Sequence, residues 1–420
     1  MTLDFTVRRR EPVLVGPARQ TPREVKRLSD IEDQVGLCWH LPLALFYRGR
    51  GAGAADDDNP AGVVRRALSE ALVPYYPLAG RLREVEGRKL VVDCTGEGVL
   101  FVEADADVRL AELEAAGLRP PFPCMDQLLF DVKGSGGVLN SPLLLIQVTK
   151  LRCGGFVFAL RLNHTMCDAV GIVQFMSAVG ELTRGLPDPT VAPVWLREIL
   201  DARSPPRPSF AHLEYDPVPL SLPPPGEMVM RTFIFTPADV AAIKKGLSVQ
   251  RRGGSKATTF EAPAALLWRA RTAALEIPAG EDARLVIAAG VRTLRDLGLP
   301  AGYYGNACVY PSAVATAGAL RGGTLGDAVE LVRAVKKSAA SAEFVPSTAD
   351  LMALRERPSL ALANMLIVSD NRHAGFRRVD MGWGEPVYGG PERRRGDAIA
   401  VPVMLPPSAM DRFASEVKML

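Results

Sequence analysis

The sequence predicts an α/β protein with two sheet-based lobes, and three observations carry that expectation. Strand-like and helix-like stretches interleave in both halves of the chain. A proline-rich stretch separates the halves: residues 201–227, "DARSPPRPSFAHLEYDPVPLSLPPPGE", hold eight prolines, which excludes a long helix and fits an extended crossover. A chain of 420 residues also exceeds what a single hydrophobic core usually organises. The expected division is a lobe over 1–200, the crossover over 201–227 and a second lobe over 228–420.

The elements follow in order. "NPAGVVRRALSEALVPYYPLAGRL" reads as a helix capped at Asn59 and stopped by Pro74 and Pro77, with Val63, Val64, Ala67, Leu68, Ala71 and Leu72 on one apolar face. "RKLVVDCTGEGVLFVEADAD" reads as two strands around a glycine-bearing turn. "LLLIQVTKL" and "FVFALRL", joined by "RCGG", read as a hairpin whose apolar content requires cover on both faces. "AVGIVQFMSAVGELTRG" is a helix ending near Gly185.

Beyond the crossover, "MVMRTFIF" is a strand and "PADVAAIKKGL" a helix. "TTFEAPAALLWRARTAAL" is a helix opened by a capping box, Thr258 standing three residues before Glu261, with Pro263 tolerable only because it lies near the start. "LGDAVELVRAVKKSAASA" is a further helix, and "ALANMLIVSD" and "AIAVPVMLP" are strands.

Charge and composition exclude some functions. Fifty basic residues against 47 acidic leave a net charge of +3, too little to make nucleic acid or an anionic membrane the main partner. No apolar run is long enough to span a bilayer. The six cysteines are scattered, with no CxxC and no cluster at zinc spacing, so free thiols and no metal site are expected. The opening "MTLDFTVRRREP" is charged where a signal peptide is apolar, which implies the cytoplasm; the final "VKML" is a faint echo of a peroxisomal tail.

Three stretches carry candidate chemistry. His164, one of four histidines, stands where the alternating strand "FVFALRLN" gives way to a helix. An imidazole with a reference pKa of ~6.5 can take a proton from an alcohol near neutrality; it can equally be a histidine hydrogen-bonded at a strand end. Asp168 either orients that ring or holds the turn, capping the next helix or pairing with an arginine, and the turn between the two residues favours the second role.

In "VDMGWGEPVYGGPE", Gly382 and Gly384 around Trp383, after Asp380, read as a tight turn that buries an indole. In "QRRGGSKATTFEA", Arg251, Arg252 and Lys256 precede a helix start with Ser255, Thr258 and Thr259 as hydroxyl donors. That is either a phosphate site or a solvated loop with an ordinary cap. No GxSxG elbow supports a covalent acyl-enzyme. The glycine-rich "GRGAGAADDD" lacks the strand and helix of a dinucleotide site and reads as a surface loop.

Together these residues resemble the plant BAHD acyl-CoA-dependent acyltransferases. His164-Thr165-Met166-Cys167-Asp168 matches the family's HxxxD motif, and Asp380-Met381-Gly382-Trp383-Gly384 its DFGWG motif, with methionine for phenylalanine. The likeness runs through "LSDIEDQ", "YYPLAGRLRE", "LLLIQVTKLRCGGFVFALRLNHTM" and "GYYGNA". It implies two similar lobes, each a mixed sheet with helices as in chloramphenicol acetyltransferase, with a channel between them and the histidine at its centre.

It further implies a monomer in which His164 is the general base. Acyl-CoA is the co-substrate rather than a resident cofactor, and a small alcohol is the acceptor. The matching branch of the family points to benzoyl-CoA and benzyl alcohol. Asp168 and Asp380 become structural, Arg292 the arginine partner of Asp380, and Lys256, Ser255, Thr258 and Ser369 the CoA contacts. A polyamine or aryl-amine N-acyltransferase and a non-catalytic CoA-binding member are the alternatives. Two departures stand out: Leu294 replaces the second arginine of an RxR pattern, and after "YGGPE" the chain passes through "RRRGD" almost directly into "AIAVPVMLP", where the family has a further strand and loop.

Overall fold

A computed structural model describes residues 3–50, 59–132, 137–217, 228–250, 257–390 and 398–418. The chain forms two compact units. One comprises Met1–Asp201, Gly298–Ala307 and Arg372–Glu392; the other Ala202–Leu297, Cys308–Asn371 and Arg393–Leu420. Two segments from the second half of the sequence thus belong to the first unit. The "GYYGNA" segment and the one bearing Asp380 and Trp383 both fold there.

The first unit is built on a mixed sheet. Its strands run in the order Val7–Arg9, Val99–Ala106, Leu144–Leu151, Phe156–Asn163, His40–Tyr47 and Tyr388–Gly389, with Val13–Val15 also pairing to Val99–Ala106. Among the described residues of this sheet, only the pairing of Val99–Ala106 with Leu144–Leu151 is parallel. The expected hairpin forms, Leu144 lying opposite Leu162 and Lys150 opposite Phe156.

Strand alternation explains its near-continuous hydrophobicity. Leu45, Tyr47, Phe156, Phe158 and Leu160 join a core with the helices Pro60–Ala71 and Ala169–Thr183. Ala44, Phe46, Val157 and Ala159 join another core with Leu110, Leu113 and Phe122. The helix Pro60–Ala71 is capped as expected, the Asn59 side chain accepting the amide of Ala61 at 3.3 Å.

The two strands of "RKLVVDCTGEGVLFVEADAD" part company. Leu90–Asp93 joins a small antiparallel sheet with Val25–Arg27 and Arg81–Glu84, while Val99–Ala106 enters the main sheet.

The second unit packs helices on two short sheets. Asp282–Gly290 pairs antiparallel with Ser312–Thr316 and Cys308–Val309, and parallel with Met365–Ser369. Val229–Phe235 pairs antiparallel with Ile399–Leu405 over seven residues. The helix Glu261–Ala274 is buried along most of its length among the helices Leu325–Ala339 and Pro407–Lys418. Its Pro263 is the third residue, where a helical amide has no partner in any case.

Among the described residues, Met365–Ser369 and Ile399–Leu405 each pair along one edge only, although both pack on the same core. The described part of the crossover is tied to the helix Phe344–Leu354. Arg203 meets the buried Asp350 at 2.8 Å, and His212 bridges Glu214 at 2.9 Å and Ser347 at 2.7 Å. Ser347 Oγ also accepts the amides of Ser209 and Phe210, so this buried Ser–His–Glu row is a clasp rather than a nucleophile.

Candidate active site

His164 emerges one residue past the strand Phe156–Asn163, where its amide donates to the carbonyl of Trp39 at 2.9 Å. The preceding Asn163 begins a tight turn, its side chain accepting the hydroxyl of Thr165 at 2.8 Å and the amide of Thr165 at 3.3 Å. The imidazole lies beside the Trp39 indole, centroids 5.8 Å apart, and its Nδ1 is buried with no partner in hydrogen-bonding geometry. Burial pushes the ring's pKa below its ordinary value, opposed by the residue's own carbonyl, the charge of Asp168 and the Asn306 side chain. The ring is therefore neutral at neutral pH, the state a base requires.

Asp168 turns its carboxylate onto the backbone. One oxygen accepts the amide of Gly171 at 2.9 Å, capping the helix Ala169–Thr183; the other accepts the amide of Ala307 at 3.0 Å. This is the capping geometry that the turn favoured, and it leaves no triad-like bond to the imidazole.

The rest of the loop is held by residues that no motif singled out. Asn306, fully buried, donates from Nδ2 to the carbonyls of His164 at 2.8 Å and Thr165 at 3.0 Å. Arg197 donates to the carbonyl of Met166 at 2.9 Å and pairs with the buried Glu32. Glu32 in turn accepts the Asn306 amide at 2.8 Å and the Ser29 hydroxyl at 3.1 Å. Arg197 is stacked among Trp195, Tyr303 and Tyr304, 4.3–5.3 Å from the ring centroids. Glu32 lies in "LSDIEDQ" and Asn306 in "GYYGNA", two stretches that carry the family likeness but no local chemical motif.

The second motif braces the same unit. Asp380 Oδ1 accepts the amides of Gly382 and Gly384 at 2.8 Å each, a turn that needs the positive φ of +90° and +80° found at these glycines. Trp383 packs edge-on against Phe156 at 5.0 Å with the Arg50 guanidinium 4.4 Å over its face. Tyr47 reaches the Val379 carbonyl at 2.8 Å, and Tyr388–Gly389 adds a short edge strand to His40–Tyr47.

The arginine that meets Asp380 here is Arg184, 3.7 Å away at the end of the helix Ala169–Thr183. Arg292, the partner the resemblance suggested, belongs to the second unit, just past the strand Asp282–Gly290.

The candidate CoA residues lie in the second unit. Thr258 and Glu261 exchange reciprocal bonds of 3.0 and 3.1 Å, the predicted capping box, with Lys336 2.8 Å and Arg333 3.3 Å from the Glu261 carboxylate. Ser369, exposed at its strand end, bonds Asn371 at 3.2 Å. Ser255, Lys256, Arg251 and Arg252 fall outside the described residues. Among the described residues no cluster of metal-ligating side chains occurs and no helix is long and apolar enough to cross a membrane.

The family model described as "Transferase family" matches residues 5–418. Benzyl alcohol O-benzoyltransferases of Nicotiana tabacum and Petunia hybrida are each 48% identical to the chain, covering 99% of it and 94% of their own length. Alcohol acyltransferase 16 of Actinidia chinensis is 45% identical over similar spans. The tobacco alignment runs over 437 positions, whereas this chain has 420 residues, so at least 17 positions of that relative have no residue opposite them here. In fold, vinorine synthase superposes with a TM-score of 0.73 at 21% identity, covering 99% of this chain and 98% of that one. TRI101 of F. sporotrichioides, solved with coenzyme A and T-2, superposes with 0.73 at 15% identity, covering 93% of this chain and 97% of that one.

Proposed function

The chain belongs to the Transferase family, the BAHD acyltransferases, and on that premise we propose that it transfers an acyl group from CoA to the hydroxyl of a small alcohol. His164 is the general base. Its neutral Nε2 takes the hydroxyl proton as the oxygen attacks the thioester carbonyl, an effect typically worth about 10²–10⁴ in rate. The tetrahedral intermediate collapses with cleavage of the C–S bond, and the imidazolium returns the proton to the departing sulfur. The products are an ester and free CoA, with no covalent enzyme intermediate.

The observation that carries this reading is the His164 ring beside Trp39 with its Nδ1 enclosed, burial pushing its pKa down, while the nearby Asp168 accepts the amides of Gly171 and Ala307. In this scheme Asp168, Asp380, Gly382, Trp383 and Gly384 maintain the loops, and Arg292 supports the second unit. Thr258, Ser255, Lys256 and Ser369 contact the CoA moiety. Benzoyl-CoA and benzyl alcohol are the preferred pair, on the strength of the tobacco and Petunia relatives, and a single copy of the chain suffices.

The test is a mass-spectrometric screen of benzoyl-, acetyl- and hydroxycinnamoyl-CoA against benzyl alcohol, aliphatic alcohols and spermidine. Benzyl benzoate as the main product supports the reading. Amide formation on spermidine, or CoA binding with no turnover on any acceptor, overturns it.

A further inference from the structure

We propose that Asn306 is the positioning residue of His164: its Oδ1 receives the Nδ1 proton of the imidazole, so that the lone pair of the neutral ring stays on Nε2. The inference rests on His164 being the base and adds the group that selects its tautomer.

The orientation of the Asn306 amide follows from its neighbours. Its Nδ2 faces two carbonyl oxygens, those of His164 at 2.8 Å and Thr165 at 3.0 Å, and only a donor can stand there. Turning the amide over would set oxygen against two oxygens. The opposite side of the group is therefore Oδ1, a buried acceptor with no donor in hydrogen-bonding geometry.

Two other buried atoms of this loop are in the same condition, Asn163 Nδ2 and His164 Nδ1. His164 Nδ1 is sealed from solvent and unpaired, a donor in one tautomer and an acceptor in the other. Asn306 Oδ1 and His164 Nδ1 are complementary only when Nδ1 carries the proton. The Asn306 side chain is also among the influences that favour the charged ring. The competing acceptor for the Nδ1 proton is His164's own carbonyl, whose orientation is itself set by the bond from Asn306 Nδ2. Both routes to a fixed tautomer pass through the same amide.

The amide is itself rigidly founded. Its backbone N–H ends on Glu32, which is paired with Arg197 in full burial, and Arg197 reaches back to the Met166 carbonyl. A neutral amide in this place directs the proton without adding the charge that a triad carboxylate brings.

The chain has four histidines, so a ¹⁵N-histidine sample gives few enough ring signals to assign His164 by its loss in His164→Gln. The parent is expected to show a protonated Nδ1 and a bare Nε2 near neutral pH. In Asn306→Ala the signal shifts towards the other tautomer, while kcat falls by at least ~10-fold and KM for the acyl-CoA stays within about two-fold, since only the base is disturbed.

A parent ring protonated on Nε2 overturns the inference. So does a folded Asn306→Ala variant that keeps its Nδ1 proton, whatever its activity. If Asn306→Ala does not fold, the parent spectrum alone decides. A chain that turns over no acyl-CoA refutes the proposed reaction and leaves this spectrum to be read independently.

Discussion

The carboxylate of Asp168 accepts the amide of Ala307 at 3.0 Å, from a residue 139 positions further along the chain. With the cap on Gly171 it pins the start of one helix to a distant loop, so the residue most easily taken for a catalytic partner is an anchor. Asp168→Ala should lower stability by about 1–4 kcal/mol, from a lost cap and an unpaired amide. Asp168→Asn, which keeps an acceptor, should lose less. Urea unfolding of the three proteins checks the order; equal stability with lost activity would point to a chemical role instead.

His164→Ala should reduce kcat/KM by about 10²–10⁴-fold while the unfolding midpoint barely moves, because only the proton acceptor is removed. A variant with parental rates would exclude the mechanism.

The pH dependence follows from the same ring. Burial favours neutral His164, so kcat/KM should rise with pH through a limb whose midpoint lies below about 6.5. Because the folded pKa is the lower one, the neutral ring's contribution to stability is present above the unfolded value. It is lost as pH falls through the folded value. A limb centred above the ordinary histidine value would contradict the burial seen here.

Glu32 and Arg197 form a buried pair whose charges have no water to fall back on. Arg197→Met should therefore cost about 3–5 kcal/mol by stranding the Glu32 carboxylate. Gly305→Ala should be comparably damaging, because a Cβ there would stand against the Arg197 guanidinium and the Glu32 carboxylate. Thermal melts measure both, and a tolerant Gly305 site would mean that this cluster yields easily.

In the second unit, Met365–Ser369 and Ile399–Leu405 each have one edge without a partner among the described residues, and Ile367 and Met404 are 44% and 54% exposed. Edges of this kind associate. Ile367→Lys with Met404→Lys should reduce concentration-dependent association in light scattering, with kcat unchanged; no difference from the parent would show that these edges are covered.

Local signals were legible wherever the determinant was local. The Asn59 cap, the Thr258–Glu261 box and the hairpin ending at His164 each depend on residues a few positions apart, and each is found. The strand His40–Tyr47 carries no clean strand signal in the sequence, because Pro42 interrupts it. Pro42 is tolerated since the neighbour on that side, Tyr388–Gly389, pairs only opposite Phe46 and Leu45.

By itself the sequence determined the α/β class, the strand end that presents His164 and the motif pair that marks the family. Tertiary structure alone decided that Asp380 and Trp383 fold with the first unit, that Asp380 meets Arg184, and that Glu32, Arg197 and Asn306 converge beneath the histidine loop. The reason is physical. Periodicity and capping act over a few residues and leave a pattern, whereas a buried polar group needs only some partner, from anywhere in the chain. Which partner it finds is settled by the packing of the whole unit.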